Sequence, residues 1–270
     1  RNYARDRVQG RPYGQPAGAA IVHHPDVRRM LLDMKSRIDA MRAIAYYTAG
    51  QMDRAHQADG ADTRIAQATV DLLTPVVKAW CTENSIQIAS TGIQVHGGMG
   101  FVEETGAAQH LRDARITTIY EGTTGIQSND LVGRKIARDK GVTVAKLIAE
   151  MRSDATSLPY SAELLVGVDA VEKAVAFILA TNDLNPERVA AGAVPFLHLF
   201  GSVVGGWLVL KAAAKAKAKA AAEGDDTGFY GSKEVIAQHY ATHVLPHAAG
   251  YLSSILNGSA STLGFAEDQF

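Results

Sequence analysis

A single cysteine, Cys81, excludes an intrachain disulfide and fits a reducing compartment, so a cytoplasmic location is expected. Charge of one sign is missing as well. The formal net charge is −1, which gives no reason to expect nucleic acid or an anionic membrane as a partner. Long apolar runs are also scarce. The most apolar stretch is Val194–Leu210, "VPFLHLFGSVVGGWLVL". It falls just short of a usual membrane span and holds Pro195, His198 and the pair Gly205-Gly206. It reads as a buried helix of a globular bundle, and no membrane span is expected. Aromatic residues make up only 7% and alanine is abundant, as in many helical proteins. No convincing run of alternating strand residues stands in the first half, and no internal repeat of fixed period occurs. The first residue is Arg1 rather than Met, and no signal peptide follows. "RNYARDRVQGRPYG" reads like the end of a helix entered midway, so the chain is expected to be a piece of something longer.

What is present suffices for a sizeable core: 270 residues, 47% of them hydrophobic, allow one large domain or two modest ones. Pro25 and Asp26 open a long helix, because proline suits the first helical position and an acid suits the positive end of the dipole. Val27, Leu31, Met34, Ile38, Met41, Ala45 and Thr48 then form one stripe, and Asp59-Gly60 ends the helix. A second helical pattern runs from about Thr63 to His96, with Pro75 kinking it or resetting its start. Two long helices joined by a short turn make an antiparallel pair. "GGMGF" (Gly97–Phe101) stops the second one, a short amphipathic piece spans Glu103–Asp113, and a further helix runs from Gly125 to about Asp139. After about Ser157-Leu158-Pro159, helices are expected at about 160–181, 185–222 and 232–256. In the middle one Gly192, Pro195 and Gly205-Gly206 argue for a break. "KAAAKAKAKAAAEGDD" (211–226) is low-complexity helix whose lysines read as a solvated face rather than a nucleic-acid surface. The fold class is therefore all-α.

Three stretches invite a chemical reading. "QVHGGMGF" is either a helix C-cap with a tight turn or a glycine-rich turn that presents amides to phosphate. It lacks the G-x-G-x-x-G spacing after a strand, which excludes a Rossmann site. Arg5 and Arg7 in "YARDRVQG" are either surface charge or a bridge to a diphosphate. Glu121 in "IYEGTTG" is either an acid favoured by the dipole of the following helix, or a general base desolvated on a short packed segment.

Taken together, in this order, "YARDRVQG", "QIASTGIQVHGGMGF" and "LRDARITTIYEGTTGIQ" resemble the acyl-CoA dehydrogenase family of flavoproteins. The resemblance covers roughly residues 1–140. It implies a four-helix bundle, expected over residues 1–145, followed by an additional helical domain over 146–270. It implies that Glu121 is the catalytic base that removes the α-proton of an acyl-CoA thioester while FAD takes hydride from the β-carbon. Gly122 would lie beside the thioester. Arg7 and the turn Gln94, Val95, His96, Gly97 and Gly98 would meet the FAD diphosphate, typically across a subunit boundary. Thr123, Thr124 and Gly125 would lie at the adenosine and diphosphate. No metal is implied. The resemblance further implies an electron-transfer flavoprotein as acceptor, a homodimer or homotetramer, and two preceding domains that complete the flavin and CoA sites, so that this chain alone binds FAD poorly.

The sequence departs from the common pattern in three places. Gly125 replaces a glutamine; Pro25 stands where a flavin-contacting glutamine is common, leaving His24 as a further FAD candidate; and a long tail follows residue 145. The tail is similar to that of larger bacterial-type members, one branch of which oxidises 3-(methylthio)propanoyl-CoA, and "HHPDVRRMLLDMK" and "YEGTTGIQSNDLVGRK" resemble that branch more than the short- or medium-chain enzymes. Two other readings share the bundle: a non-enzymatic helical module for oligomerisation or partner binding, and an acyl-CoA oxidase. An intact "YEGT" argues against the first, and peroxide formation in air would mark the second. The tail itself offers no chemistry, and its expected role is packing, over the bundle or between subunits.

Overall fold

The computed structural model describes residues 1–57 and 60–270. Among these the regular elements are all helices, with one isolated antiparallel bridge between Val8 and Ala20. A short α1 (Asn2–Asp6) leads through an irregular segment to α2 (Pro25–Gln57). Pro25 is the first residue of α2, and Asp26 pairs with Arg29 at 2.8 Å on that turn. The expected stop at Asp59 lies outside the described residues. Then come α3 (Ala61–Pro75) and α4 (Cys81–His96), joined by a wide π-helical turn, Val76–Trp80. Pro75 thus resets the helix rather than ending it, as a residue without an N–H can where hydrogen bonding already shifts register.

Past Gly97 a single turn, α5 (Gly98–Phe101), precedes α6 (Ala107–Thr117) and α7 (Thr124–Asn129), which continues as a wide turn to Ala137. The second half holds α8 (Val142–Ala155), α9 (Ser161–Thr181), α10 (Pro186–Ala191), α11 (Ala193–Glu223), α12 (Phe229–His239), α13 (Ala248–Asn257) and α14 (Ser259–Gly264).

Three expectations need correction. Along α2 the buried positions are Met30, Ser36, Ala40, Ile44 and Thr48, of which the expected stripe held Thr48. Its Val27, Leu31 and Met34 are half-buried against a small cluster with Ala4, Ile21 and Val95, and its Met41 against the main core. Met34, Ile38 and Met41 also line an open apolar trough with Ile88 and Ala89. Small residues such as Ala40 win the inner face because α11 passes close there. The expected break in the 185–222 segment falls only at Gly192, between α10 and α11. Pro195 sits in the first turn of α11, where a missing N–H costs little. Gly205-Gly206 does not interrupt α11, because these glycines serve packing. A Cβ on Gly205 would meet the Tyr240 hydroxyl at 2.9 Å, and one on Gly206 the Leu245 side chain at 2.8 Å. Finally, the single helix expected at 232–256 is broken between α12 and α13, with Pro246 in the intervening turn.

α11 is the one described helix long and apolar enough to cross a membrane, and 83% of its apolar window is buried inside the protein. It is the centre of the main core, where Phe196, Phe200 and Trp207 meet Trp80 of the π turn and Tyr240. Lys215, Lys217 and Lys219 on its distal end are exposed. A second, smaller cluster of Ala4, Ile21, Met30 and Val95 fastens the N-terminal segment to α2 and α4.

Candidate active site

Two groups of chemically capable residues emerge. The first lies on the turn between α6 and α7. Thr118 is buried, and its carbonyl accepts from Thr124 N at 3.1 Å, which closes the turn. Thr123 caps α7, its hydroxyl accepting from Ile126 N at 3.3 Å. Between them Glu121 and Gly122 both adopt positive φ, 52° and 95°. For a residue with a Cβ this conformation costs on the order of 1–3 kcal/mol. Gly122 is needed for its φ, and a Cβ there would lie 2.7 Å from the Gln127 side-chain nitrogen and push that amide from its place.

Three side chains fasten the turn. Lys78 Nζ donates to Thr117 O at 3.0 Å and to Gly122 O at 2.6 Å. Gln127 Nε2 donates to Glu121 O at 3.3 Å. The Thr124 hydroxyl donates to Glu83 at 2.5 Å. The Glu121 carboxylate itself has no hydrogen-bond or ion-pair partner among the described residues, and it is exposed. This corrects the expectation of a desolvated carboxylate on a packed segment: the described part of the chain presents the acid outward. Its neighbours Ile116, Ile119, Tyr120 and Ile126 are exposed too, so the acid stands in an apolar rim of the kind that a further surface covers.

The second group sits where α4 ends. The small N-terminal cluster brings α1 against it, and Tyr3 packs on His96 with ring centroids 4.4 Å apart. As a result Arg7 shares a cavity of about 430 Å³ with Gln94, Val95, His96, Gly97 and Gly98. Every residue of that sequence reading is therefore gathered in one place, although Val95 is buried and contributes packing. The Arg7 side chain is exposed and, among the described residues, makes one long contact, to Gln9 at 3.5 Å. His96 Nδ1 donates to Gly92 O at 2.7 Å, which leaves Nε2 as an acceptor in the neutral ring. His24 is engaged elsewhere: its Nε2 lies 2.9 Å from Gln9 O and pins the irregular segment. None of residues 121–125 lines this cavity, so the two groups form separate half-sites on the chain.

Lys78, Glu83 and Gln127 escaped the sequence reading. For Lys78 a signal existed: it is the only lysine or arginine between Arg64 and Arg112, in a run rich in apolar residues. A lone cation there must find polar partners. For Glu83 and Gln127 nothing in the sequence distinguishes them from solvated helix positions.

Comparison with known proteins gives a consistent picture. The family profile described as acyl-CoA dehydrogenase, C-terminal domain, matches residues 2–136, and one described as acetyl-CoA dehydrogenase C-terminal like matches residues 143–266. The 3-methylmercaptopropionyl-CoA dehydrogenase of Ruegeria pomeroyi is 42% identical over 97% of the chain and 46% of its own length. A broad-specificity linear acyl-CoA dehydrogenase of Mycobacterium tuberculosis is 35% identical over 90% of the chain and 44% of its own length. The chain thus spans about half the length of the curated relatives it matches. Among solved structures, an acyl-CoA dehydrogenase from Bacillus anthracis complexed with FAD superposes with a TM-score of 0.71 at 15% identity, over 97% of this chain and 47% of that one.

Proposed function

The chain belongs to the acyl-CoA dehydrogenase family, and from that premise we propose that it serves as the C-terminal catalytic portion of an FAD-dependent dehydrogenase that converts an acyl-CoA thioester to the trans-2-enoyl-CoA. The observation that carries this reading is the presentation of Glu121: a carboxylate with no partner among the described residues, on a turn held in a costly conformation by three surrounding side chains. A turn fixed in this way spares the base reorganisation when it acts.

In this reading Glu121 takes the α-proton of the thioester, and the electrons of that C–H bond form the α,β double bond as the β-hydride departs. FAD, when bound, supplies the acceptor for that hydride. Gly122, which carries no Cβ and holds φ at 95°, would lie beside the thioester. The donor set at the end of α4 suits a diphosphate: a guanidinium, an amide side chain and two glycines face one cavity. Arg7 and Gln94–Gly98 would hold the phosphates there, and Thr123, Thr124 and Gly125 the adenosine side. The hydroxyls of Thr123 and Thr124 already bond within the chain, yet each keeps a lone pair for a further donor. Because Glu121 is exposed in this chain, the surface that desolvates it belongs to the rest of the whole protein.

The proposal extends to partners. Two separate half-sites on one chain suit a homodimer or homotetramer in which each diphosphate is met by a neighbour. Flavin reduction requires reoxidation, for which an electron-transfer flavoprotein in the cytoplasm is the proposed acceptor. For the substrate, 42% identity to a 3-methylmercaptopropionyl-CoA dehydrogenase supports a short thioether acyl-CoA over a long-chain one. Residues 1–145 are proposed as the catalytic bundle and 146–270 as an added helical unit. The test is a visible spectrum of the whole protein, without air, before and after adding short acyl-CoAs and the methylthio analogue. A flavin band that bleaches fastest with the methylthio substrate is the expected result. A colourless protein that ignores added FAD would overturn the reading.

A further inference from the structure

Lys78 is the residue whose position the proposed reaction does not itself explain. It projects from the π turn between α3 and α4, where its neighbours Val76, Ala79 and Trp80 are buried. The base of its stem is thus anchored in the core. Its Nζ reaches the carbonyl of Thr117, at the start of the turn that carries Glu121, and that of Gly122, just after the acid. The two bonds bracket Glu121 along the backbone. The Tyr120 ring lies 5.7 Å from the same nitrogen. No carboxylate pairs with Lys78 among the described residues, so its bonding capacity is directed at main-chain oxygen rather than at charge.

We propose that Lys78 is a positioning residue for Glu121: it clasps the turn at both ends and so fixes where the carboxylate points. The proposal rests on the reading of Glu121 as the base. It follows from a contrast on the turn itself. Among the described residues the side chain of Glu121 contributes no bond that could hold its own positive φ; beside the Thr124 N to Thr118 O bond and the Thr124–Glu83 contact, the conformation is maintained by side-chain bonds to the turn's carbonyls. Gln127 supplies one, at 3.3 Å, and Lys78 supplies two shorter ones from a charged donor. Displacement of a reacting group by about 1 Å can cost about 10²-fold in rate, and loss of this clasp would produce such a displacement.

The experiment compares the whole flavoprotein with its Lys78→Met, Lys78→Arg and Glu121→Gln variants. Two quantities are read: the rate of flavin reduction by acyl-CoA without air, and hydrogen exchange of the amides from Thr118 to Thr124. Lys78→Met is expected to reduce flavin about 10²-fold more slowly, with acyl-CoA affinity changed little and the turn amides exchanging faster. Lys78→Arg, which keeps charged donors, is expected to recover most of both. Glu121→Gln should lose the reaction while its turn stays protected. If Glu121→Gln reduces flavin at the wild-type rate, the base reading fails and the positioning role with it. If Glu121→Gln is inactive but Lys78→Met keeps both rate and protection, only the Lys78 proposal is overturned. Should Lys78→Met not fold, the same readouts on Lys78→Gln, whose shorter amide cannot span both carbonyls, decide the matter: unchanged values there overturn it equally.

Discussion

Glu121 and Gly122 adopt positive φ in succession, and the two residues bear different costs. Glycine occupies this region freely, whereas glutamate must be held there. Replacing Gly122 by alanine adds both φ strain and a Cβ at 2.7 Å from Gln127 Nε2. The expected outcome is a loss of about 1–3 kcal/mol of stability, seen as a lower denaturation midpoint, with Gln127 displaced from Glu121 O. The residues of "IYEGTTG" alone left Glu121 as either an acid favoured by the helix dipole or a base, and its assignment as the base was implied by the family resemblance. Its exposure was not legible, since a turn motif specifies local backbone and leaves unsaid which surfaces cover it. The Arg7 group was implied by the family resemblance, and what gathers it in space is a small cluster of Tyr3, Ile21 and Val95, apolar residues close in sequence to the polar ones.

Among the elements, α11 shows how a glycine-rich apolar helix can be misread. Its glycines stood in the sequence as breaks, yet they are close approaches. Gly201 packs under the Trp80 ring, and a Cβ there would lie 2.4 Å from Trp80 Cγ. Gly201→Ala is therefore expected to destabilise by about 1–3 kcal/mol through overpacking and to change Trp80 fluorescence. A wild-type midpoint and spectrum would contradict this packing. The contact of α12 with α2 supplies a pH-dependent element. His239 is 6% exposed, stacks on His243 with centroids 4.1 Å apart, and stands 3.8 Å from Asp33, too far for a hydrogen bond. Burial, then the neighbouring His243, pushes its pKa below the usual 6.5, outweighing Asp33. Burial depresses His198 on α11 in the same direction. Between the folded and unfolded pKa values the unfolded chain binds more protons. The stability these neutral rings contribute is thus complete above about pH 6.5 and is lost as pH falls through the folded values. A thermal midpoint measured from pH 7.5 down to pH 5 should fall, and His239→Gln should flatten part of that slope.

For the whole molecule, the fold class followed from helical periodicity and from the lack of alternating strands. The way the halves join did not. One buried cluster runs from Ala40, Leu72 and Trp80 through Leu147 and Val168 to Phe196, Trp207 and Tyr240, so the proposed units 1–145 and 146–270 share a core. An amphipathic pattern states that a face is apolar and leaves open what covers it, which is why packing over the bundle and packing between subunits looked alike. Within this chain the tail covers the bundle, with Lys233 Nζ of α12 donating to Asp39 of α2 at 2.8 Å and the Tyr47 hydroxyl of α2 donating to Glu150 of α8 at 3.2 Å. Thermal unfolding is accordingly expected to be a single transition, and residues 1–145 expressed alone should expose Trp80 to quencher. Two resolved transitions would contradict the shared core. The central claim concerns the acid at the end of α6, and it is tested most directly by stopped-flow mixing of the whole flavoprotein with acyl-CoA, wild type against Glu121→Gln. The account predicts equal flavin content in both and flavin reduction slower by about 10²–10⁴-fold in the variant; equal rates of reduction would contradict it.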